Sequence, residues 1–282
     1  METTQKTPTI VRRDVRFDFG ARDMGAWHPE GRHVTHFFNA LSTFFPEGEV
    51  FFIDSVLHYR DRIASPELAV DVKGFTGQEG MHSREHRRYN RALAASGLPV
   101  QRLEERLKGF LDFLRRRLTP EEMLAVTIAL EHYTAIMANT PLSDPRVLEG
   151  ADPALAAIWR WHAIEETEHK AVAYDVYSAV MGTGMRAYLT RVYTMIGATL
   201  IFWSLVFRYH FALVRADGVA TDMRGWWRLV RFLWGSPGVL RQIVRPWLSY
   251  FRPDFHPWQH DNSVLVERWK AAYAADGLAP AW

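Results

Sequence analysis

Glu79-Gly80-Met81-His82 and Glu166-Thr167-Glu168-His169 are two copies of one short pattern, Glu-x-x-His. On a helix, residues three apart share a face, so each copy directs a carboxylate and an imidazole toward the same point. This pairing is typical of metal sites. A single copy more often lies on a solvated helix face, since the chain has 32 acidic residues and 12 histidines. The pattern therefore needs support from further ligands.

Two more glutamates supply that support. Glu49 lies 30 residues before Glu79, and Glu131 lies 35 residues before Glu166. At about 1.5 Å rise per residue, such a spacing fits one helix, a short turn and half of a returning helix, which brings both carboxylates to the same height. Each unit is therefore predicted to be an antiparallel helix pair.

Two such pairs facing one another define the fold. One Glu from each of two helices and one Glu-x-x-His from each of the others form the dinuclear carboxylate site of a ferritin-like four-helix bundle. The 49 residues from His82 to Glu131 leave room for the long crossover of that topology. No stretch shows sustained strand alternation. We predict an all-α, ferritin-like four-helix bundle with a long crossover and extra C-terminal helices.

The chain divides into three predicted segments: an N-terminal arm (1–33), the helical bundle (34–215) and a basic aromatic helical extension (216–282). Within the bundle, continuous helices are predicted over 34–64 and 153–181, because apolar residues recur there at helical spacing.

One helix has clear start and stop signals. Thr119-Pro120-Glu121-Glu122 has the pattern of a capping box with proline at the first helical position. Asn139-Thr140-Pro141 is expected to end the same helix, since proline disrupts a helix interior.

Composition excludes several classes of chemistry. The chain has 282 residues and no cysteine, so disulfides, thiolate zinc sites and cysteine nucleophiles are excluded. Residues 1–18 are polar and lack the apolar core of a signal peptide, which predicts a cytoplasmic protein. The longest apolar run, 192–207, is 16 residues and is slightly short for a membrane span.

The predicted ligands share one chemistry, because oxygen donors dominate and each metal receives an imidazole. Such a set favours iron or manganese over zinc and excludes soft copper sites. We expect two iron ions, with manganese as the alternative. The predicted ligands are Glu49, Glu79, His82, Glu131, Glu166 and His169.

Several neighbours of these ligands have predicted roles. His162, four residues before Glu166, is either a third imidazole ligand or a buried histidine behind the site. Glu165 and Gln78 each precede a ligand glutamate and are predicted to accept the second N–H of a metal-bound histidine. Three further polar residues are expected outside the site: Glu85, His86 and His132.

The chain resembles a bacterial family usually labelled predicted metal-dependent hydrolase, within the ferritin-like superfamily. The resemblance rests on Phe45-Pro46-Glu47-Gly48-Glu49, Gln78-Glu79-x-x-His82-x-x-x-His86, Glu131-His132-Tyr133-Thr134-Ala135 and Trp159-x-Trp161-His162-x-x-Glu165-Glu166-x-Glu168-His169-Lys170. The ligand pattern is also similar to that of the small subunit of ribonucleotide reductase and of bacterial multicomponent monooxygenases. With His162 it is similar to that of the di-iron arylamine N-oxygenases. These relatives imply oxygen activation, whereas the family label implies hydrolysis.

A basic aromatic segment lies near the C-terminus. Residues 224–252 contain six arginines, four tryptophans and no acidic residue. This composition is typical of helices at a membrane surface, which would make the protein peripheral on the inner face of the membrane. Alternatively, the segment packs on the bundle with arginine stems covering apolar surface. Nucleic acid binding is not expected. The apolar face of 186–210 suggests a homodimer.

Three functions follow from the sequence. The first is a di-iron oxygenase that activates O₂ to oxidise an apolar or amine-bearing small molecule and that needs an electron-donor protein. The alternative is a two-metal hydrolase of an ester or phosphate. Iron storage and a purely structural bundle are the third, non-catalytic class.

Overall fold

The chain was analysed as a computed structural model that describes residues 8–20 and 22–275. Across these residues the regular structure is entirely helical, which confirms the predicted all-α class. Residues 1–7 of the predicted arm and 276–282 of the predicted extension lie outside the described residues. In chain order the helices are α1 (Arg32–Ser42), α2 (Phe45–Leu57), α3 (Pro66–Ala95), α4 (Val100–Arg117), α5 (Pro120–Ser143), α6 (Pro153–His169), α7 (Val172–Met181), α8 (Met185–Ala216), α9 (Met223–Val230), α10 (Val239–Ser249) and α11 (Ser263–Ala275).

Four helices form the bundle that holds the site. Helix α2 packs on α3, and α5 packs on α6, so each predicted pair is present. The pairs close on one another through α2 against α5 and α3 against α6. The connection from α3 to α5 contains α4, which packs against α2 and α3.

The starts of α5 and α6 fix the phase of two ligand-bearing helices. Thr119 and Glu122 form the predicted capping box, in which the Thr119 hydroxyl accepts from the Glu122 N–H. Asp152 caps α6 by accepting from the backbone N–H groups of Ala154 and Leu155. These caps satisfy backbone donors that helix formation leaves without partners.

The predicted helix over 34–64 is wrong, because it is broken between α1 and α2. Pro46 has no N–H to donate to the Ser42 carbonyl. The Asn90 side chain donates to that carbonyl instead, over 3.0 Å. A 3₁₀ turn follows over residues 60–62, and the backbone is extended after it, so the helix does not reach residue 64.

The predicted helix over 153–181 is also broken, directly after His169. The break contains no glycine or proline. The Lys170 ammonium instead donates to the His260 carbonyl (2.6 Å) and to Asn262 Oδ1 (2.7 Å). A contact with a distant segment accompanies the break, so local sequence gave no signal of it. His169 is consequently the last residue of α6 rather than a mid-helix residue.

Helix α5 does not end at Pro141 as predicted but continues to Ser143. Pro141 cannot donate to the Met137 carbonyl. The Thr140 hydroxyl donates to that oxygen instead, at 2.8 Å. The helix therefore passes through the proline without leaving a buried carbonyl unpaired.

The arm runs along α3. Ile10 lies over Gly74, where an added Cβ would be 2.7 Å from Ile10 Cγ2, and Arg12 lies over Gly77. Further along, the Phe17 N–H donates to Glu85 Oε2 (3.1 Å). The two glycines cost helix stability, and their small size allows the arm to approach the helix.

The C-terminal helices pack around the bundle. Helix α8 lies against α1 and α5, α9 against α1, α10 against α5, and α11 against α6 and α5. Between α9 and α10 the chain makes a short π-helical turn over Arg231–Gly235.

Candidate metal centre

All six predicted ligands and His162 converge in the bundle interior, and each is buried. They come from four different helices, which fixes their positions relative to one another. The ligands are Glu49 on α2, Glu79 and His82 on α3, Glu131 on α5, and His162, Glu166 and His169 on α6.

The donor atoms form two groups, in each of which they lie within 4.8 Å of one another. The first group contains one carboxylate and two imidazoles, and the second contains two carboxylates and one imidazole. The Glu131 carboxylate is close to the second, with its Oε2 3.8 Å from His169 Nε2. The groups are Glu49, His82 and His162, and Glu79, Glu166 and His169.

Two carboxylates lie between the groups. Glu166 Oε1 is 2.9 Å from His162 Nε2 and 3.6 Å from His82 Nδ1. The other oxygen of Glu166 is 3.6 Å from His169 Nε2. Glu79 Oε1 is 3.0 Å from His169 Nε2 and 3.9 Å from His82 Nδ1. Each carboxylate can therefore reach both groups.

The outer nitrogen of His169 is held by Gln78. His169 Nδ1 is 2.8 Å from Gln78 Oε1. The Gln78 amide N–H group donates to Glu168 (2.7 Å) and to the Val11 carbonyl (3.0 Å). The Gln78 oxygen must therefore accept, so His169 carries its proton on Nδ1. Its Nε2 faces Glu79 Oε1 at 3.0 Å, and although burial alone would lower the pKa of His169, the nearby Glu166 and Glu79 raise it well above its usual value.

His162 is held by a second chain of hydrogen bonds, which runs through His86. His162 Nδ1 is 2.9 Å from His86 Nε2, and His86 Nδ1 is 2.8 Å from the Ser42 hydroxyl. Ser42 donates to Asn90 Oδ1 (2.8 Å) and therefore accepts from His86. In this direction His162 donates through Nδ1, and its Nε2 faces Glu166 Oε1 at 2.9 Å.

His82 completes the set. Its Nε2 lies 3.1 Å from Glu165 Oε2, while its Nδ1 faces the centre. Glu165 Oε1 accepts from Arg13 (3.0 Å) and from the Trp161 indole (3.0 Å). The structure thus places Glu165 and Gln78 against the outer nitrogens of two candidate ligands.

A single arginine lies behind both of these supports. Arg13 of the arm donates to Glu165 and forms two hydrogen bonds with Glu168, of 2.8 and 2.6 Å. Glu168 in turn accepts from Gln78, which holds His169. Lys270 of α11 also contacts Glu168, at 2.8 Å.

Sequence reasoning missed Arg13 and His86. Nothing in a polar arm distinguishes Arg13 from the neighbouring Arg12 and Arg16. His86 was expected outside the site, yet it bonds His162. Its position one helical turn after His82 was a usable signal, because it places both imidazoles on one face.

The pKa shifts and unpaired oxygens of the buried ligands indicate a site that binds cations. Burial and the nearby Glu79 raise the pKa of Glu49 well above its usual range, and the pKa of Glu131 is raised in the same way. Burial and the neighbouring His162 lower the pKa of His82 well below its usual value. Among the described residues, neither carboxylate oxygen of Glu49 or Glu131 has a hydrogen-bond donor.

Metal ions fit these observations. Buried carboxylates without partners are costly unless they coordinate metals or become protonated. At His162 and His169, an imidazole nitrogen and a carboxylate oxygen lie 2.9 and 3.0 Å apart, close enough for both to bind the same cation. The set offers only nitrogen and oxygen donors.

An apolar cavity of 60 Å³ adjoins the centre, between α1, α5, α6 and α10. His162 and Glu166 form its inner end. Its walls are mostly hydrocarbon, and they include Phe37, Phe38, Leu41, Phe45, Met137, Ala138, Pro141, Trp159 and Val239.

A buried cluster of glutamates and histidines in a helical bundle defines a metal-binding protein. The chain belongs to the family described as predicted metal-dependent hydrolase, whose family model matches residues 11–261. The matched segment contains every candidate ligand and Arg13. A search of curated proteins and a search of solved structures each found no significant match.

Proposed function

We propose that this protein is an enzyme whose centre binds two metal ions. Glu49, His82 and His162 would hold one ion, and Glu131 and His169 the other. Glu79 and Glu166 would bridge them. The observation that carries the proposal is the convergence of four buried carboxylates and three buried imidazoles, in which the Glu49 and Glu131 oxygens have no hydrogen-bond donor among the described residues.

The ligand set supports iron, with manganese as the alternative. One Glu on each of α2 and α5, with Glu-x-x-His on each of α3 and α6, is the arrangement of di-iron and di-manganese ferritin-like proteins. Four carboxylates and three imidazoles without a thiolate also suit these metals.

Hydrolysis is the reaction that the family description supports, and the comparisons favour it over oxidation. A pair of metal ions supplies a hydroxide at neutral pH and polarises an ester or phosphate oxygen. Here Glu79 and Glu166 would set the separation of the ions, while Glu165 and Gln78 would orient two of the ligand imidazoles. The apolar cavity would admit an ester with a hydrocarbon chain more readily than a charged phosphate.

Oxidation of an apolar molecule with O₂ is the second candidate, and one observation favours it. The cavity wall has two hydroxyl groups, those of Thr134 and Thr140, and both donate to backbone carbonyls, of Glu131 and Met137. Among the described lining residues, no side chain other than the proposed ligands is therefore placed to protonate a leaving group. Oxidation needs no such acid, but it does need electrons from a donor protein.

Metal analysis and activity assays on one preparation test both reactions. Protein loaded separately with Fe(II), Mn(II) and Zn(II) should bind two ions per chain. Ester substrates of increasing acyl length and a phosphate monoester report hydrolysis, and an oxygen electrode reports O₂ uptake with reductant.

The outcomes separate the two reactions. Anaerobic turnover of esters that also occurs with Zn(II) supports the hydrolase. O₂ uptake that requires iron and increases with an apolar substrate supports the oxygenase. Glu166→Ala should abolish either activity. One ion per chain, or none, would contradict the dinuclear centre.

A further inference from the structure

Helix α8 presents an apolar face to the outside along its whole length. It has 32 residues and meets the length and hydropathy expected of a membrane span, yet only 28% of its most apolar window is buried. Its inner side, including Met195, Val206 and Leu213, packs on the protein. Its exposed large apolar residues are Met185, Leu189, Tyr193, Ile196, Leu200, Ile201, Phe207 and Phe211.

The extension has the same two-sided character. Leu229, Phe232 and Ile243 are buried against the bundle. On the other side Trp227 and Trp234 are 68% and 52% exposed. Val244 and Leu248 on α10 are also exposed and lie one helical turn apart. The extension therefore packs on the bundle through one side and displays tryptophan on the other.

The two exposed surfaces are continuous. A groove of 260 Å³ without polar lining lies between α8 and α10. Phe207 on α8, Trp234 in the π-helical turn and Val244 on α10 all line it. On α9, Trp226 stacks on Phe211 of α8. We name the exposed apolar residues of α8, together with the exposed Trp227, Trp234, Val244 and Leu248, the outer apolar face.

Positive charge surrounds the outer apolar face. From residue 176 to residue 253 the only acidic residues are Asp217 and Asp222. Asp217 is paired with Arg32 and His36. Among the described residues from 176 to 253, six exposed arginines have no carboxylate within 4.0 Å: Arg208, Arg215, Arg224, Arg228, Arg241 and Arg245.

We propose that the outer apolar face rests on a lipid bilayer that contains anionic lipids. Helices at a membrane interface combine tryptophan and arginine with an apolar side that enters the hydrocarbon of the bilayer. Anionic lipid headgroups complement the arginines. A second copy of the chain fits less well. A twofold contact pairs identical surfaces, so it would bring arginines against arginines without a carboxylate to separate them.

Vesicle sedimentation of the full chain tests the proposal. Binding to vesicles of phosphatidylcholine with phosphatidylglycerol should exceed binding to phosphatidylcholine alone, and it should weaken as salt is added. Arg224→Gln and Arg228→Gln should each lower partitioning to the anionic vesicles about fivefold. The double variant Trp227→Ser/Trp234→Ser should lower binding to both kinds of vesicle.

Val70→Ser is the matched control, because Val70 is 69% exposed on α3, away from the outer apolar face. It should bind vesicles like the unaltered protein. The salt dependence and lipid preference of the unaltered protein require no variant, so a misfolded variant leaves the proposal testable. Equal binding of the unaltered protein to both vesicles at all salt concentrations would overturn it. So would a dimer that Leu200→Gln converts to a monomer while vesicle binding stays unchanged.

Discussion

At the scale of single residues, the three histidines at the centre are held in place in the same way. Each has its outer nitrogen against a fixed partner: His82 against Glu165, His162 against His86, and His169 against Gln78. The i, i+3 and i, i+4 spacings placed the imidazoles correctly, because helical geometry alone determines which residues share a face. Gln78 and Glu165 were predicted because each is adjacent to a ligand, whereas His86 was left out although its spacing from His82 places both on one face of α3.

His162→Ala tests whether this histidine is a ligand. Six candidate ligands remain, so we expect two ions still to bind at saturating metal, with altered turnover. Metal content and steady-state kinetics measure this. His132→Ala is the control, since His132 is equally buried but bonds the Pro246 carbonyl away from the centre. If both variants lose stability and keep normal kinetics, His162 is only a core histidine.

Arg13→Gln tests whether a residue that is not itself a ligand supports the metal centre. Loss of the guanidinium removes the donor that holds Glu165 and Glu168, so we expect metal affinity to fall about 10- to 100-fold. Competition with a chelator measures the affinity. Arg22→Gln is the matched control, because Arg22 in the same arm pairs with Asp152 at the start of α6. Equal affinities of the two variants would refute a role for Arg13 at the centre.

At the scale of elements, helix starts could be predicted and helix breaks could not. The box at Thr119 is a local signal, since both partners lie within one turn. Whether a helix breaks or continues depends on which group replaces a lost hydrogen bond. This applies to the breaks near Pro46 and after His169 and to the continuation through Pro141. Asn90 and Thr140 supply those groups, and only the folded chain brings Asn90 to its place.

Gly74→Ala tests the contact between arm and helix. Alanine normally stabilises a helix interior by about 1 kcal/mol relative to glycine. At Gly74 the added methyl would overlap Ile10, so we expect little gain or a loss, with faster proteolysis of the arm. Gly109→Ala in α4 is the control, since nothing lies within 4 Å of its added Cβ. Denaturant unfolding compares the two, and an equal gain would show that the arm does not pack there.

At the scale of the whole molecule, a helical bundle surrounds an interior of carboxylates and imidazoles, and the burial of these groups costs free energy. Apolar residues at helical spacing and the spacing of the two Glu / Glu-x-x-His units sufficed to predict an all-α chain and the pairing of four helices. It did not predict that the extension would both pack on the bundle and keep an exposed apolar side, because sequence alone does not say which side of an amphipathic helix finds a partner. The same limit applied to the arm, whose polar composition hid a buried arginine.

In the metal-free protein, Glu49 and Glu131 should make a contribution to stability that is lost as pH rises. Because burial raises the folded-state pKa of both carboxyls, they bind more protons in the folded state than in the unfolded chain above the usual carboxyl pKa. Their contribution to the free energy of unfolding therefore falls as pH increases above about 5. Glu49→Gln/Glu131→Gln should remove this contribution, so the gain in stability of the metal-free variant over the unaltered protein should grow with pH, while metal binding weakens.

Thermal unfolding across this pH range, with and without metal, measures both effects. Glu105→Gln/Glu149→Gln is the control, because these two glutamates are exposed. It should keep the pH dependence of the unaltered protein. A stability difference between the Glu49→Gln/Glu131→Gln variant and the unaltered metal-free protein that stays constant from about pH 5 to about pH 8 would contradict the expected cost of the buried carboxylates.

The position of Arg13 also has a consequence for the order of events during translation. The arm leaves the ribosome early, but Glu165 and Glu168, which bind Arg13, are made more than 150 residues later. The arm therefore has no docking place until α6 has emerged and packed on α3. Between the packing of α6 and the docking of the arm, the residues that support His82 and His169 lack their bonds to the arm, and incoming ions would meet a centre whose supporting hydrogen bonds are incomplete. We expect metal delivery to be easiest in this interval of biosynthesis and exchange to become slow once the arm has closed.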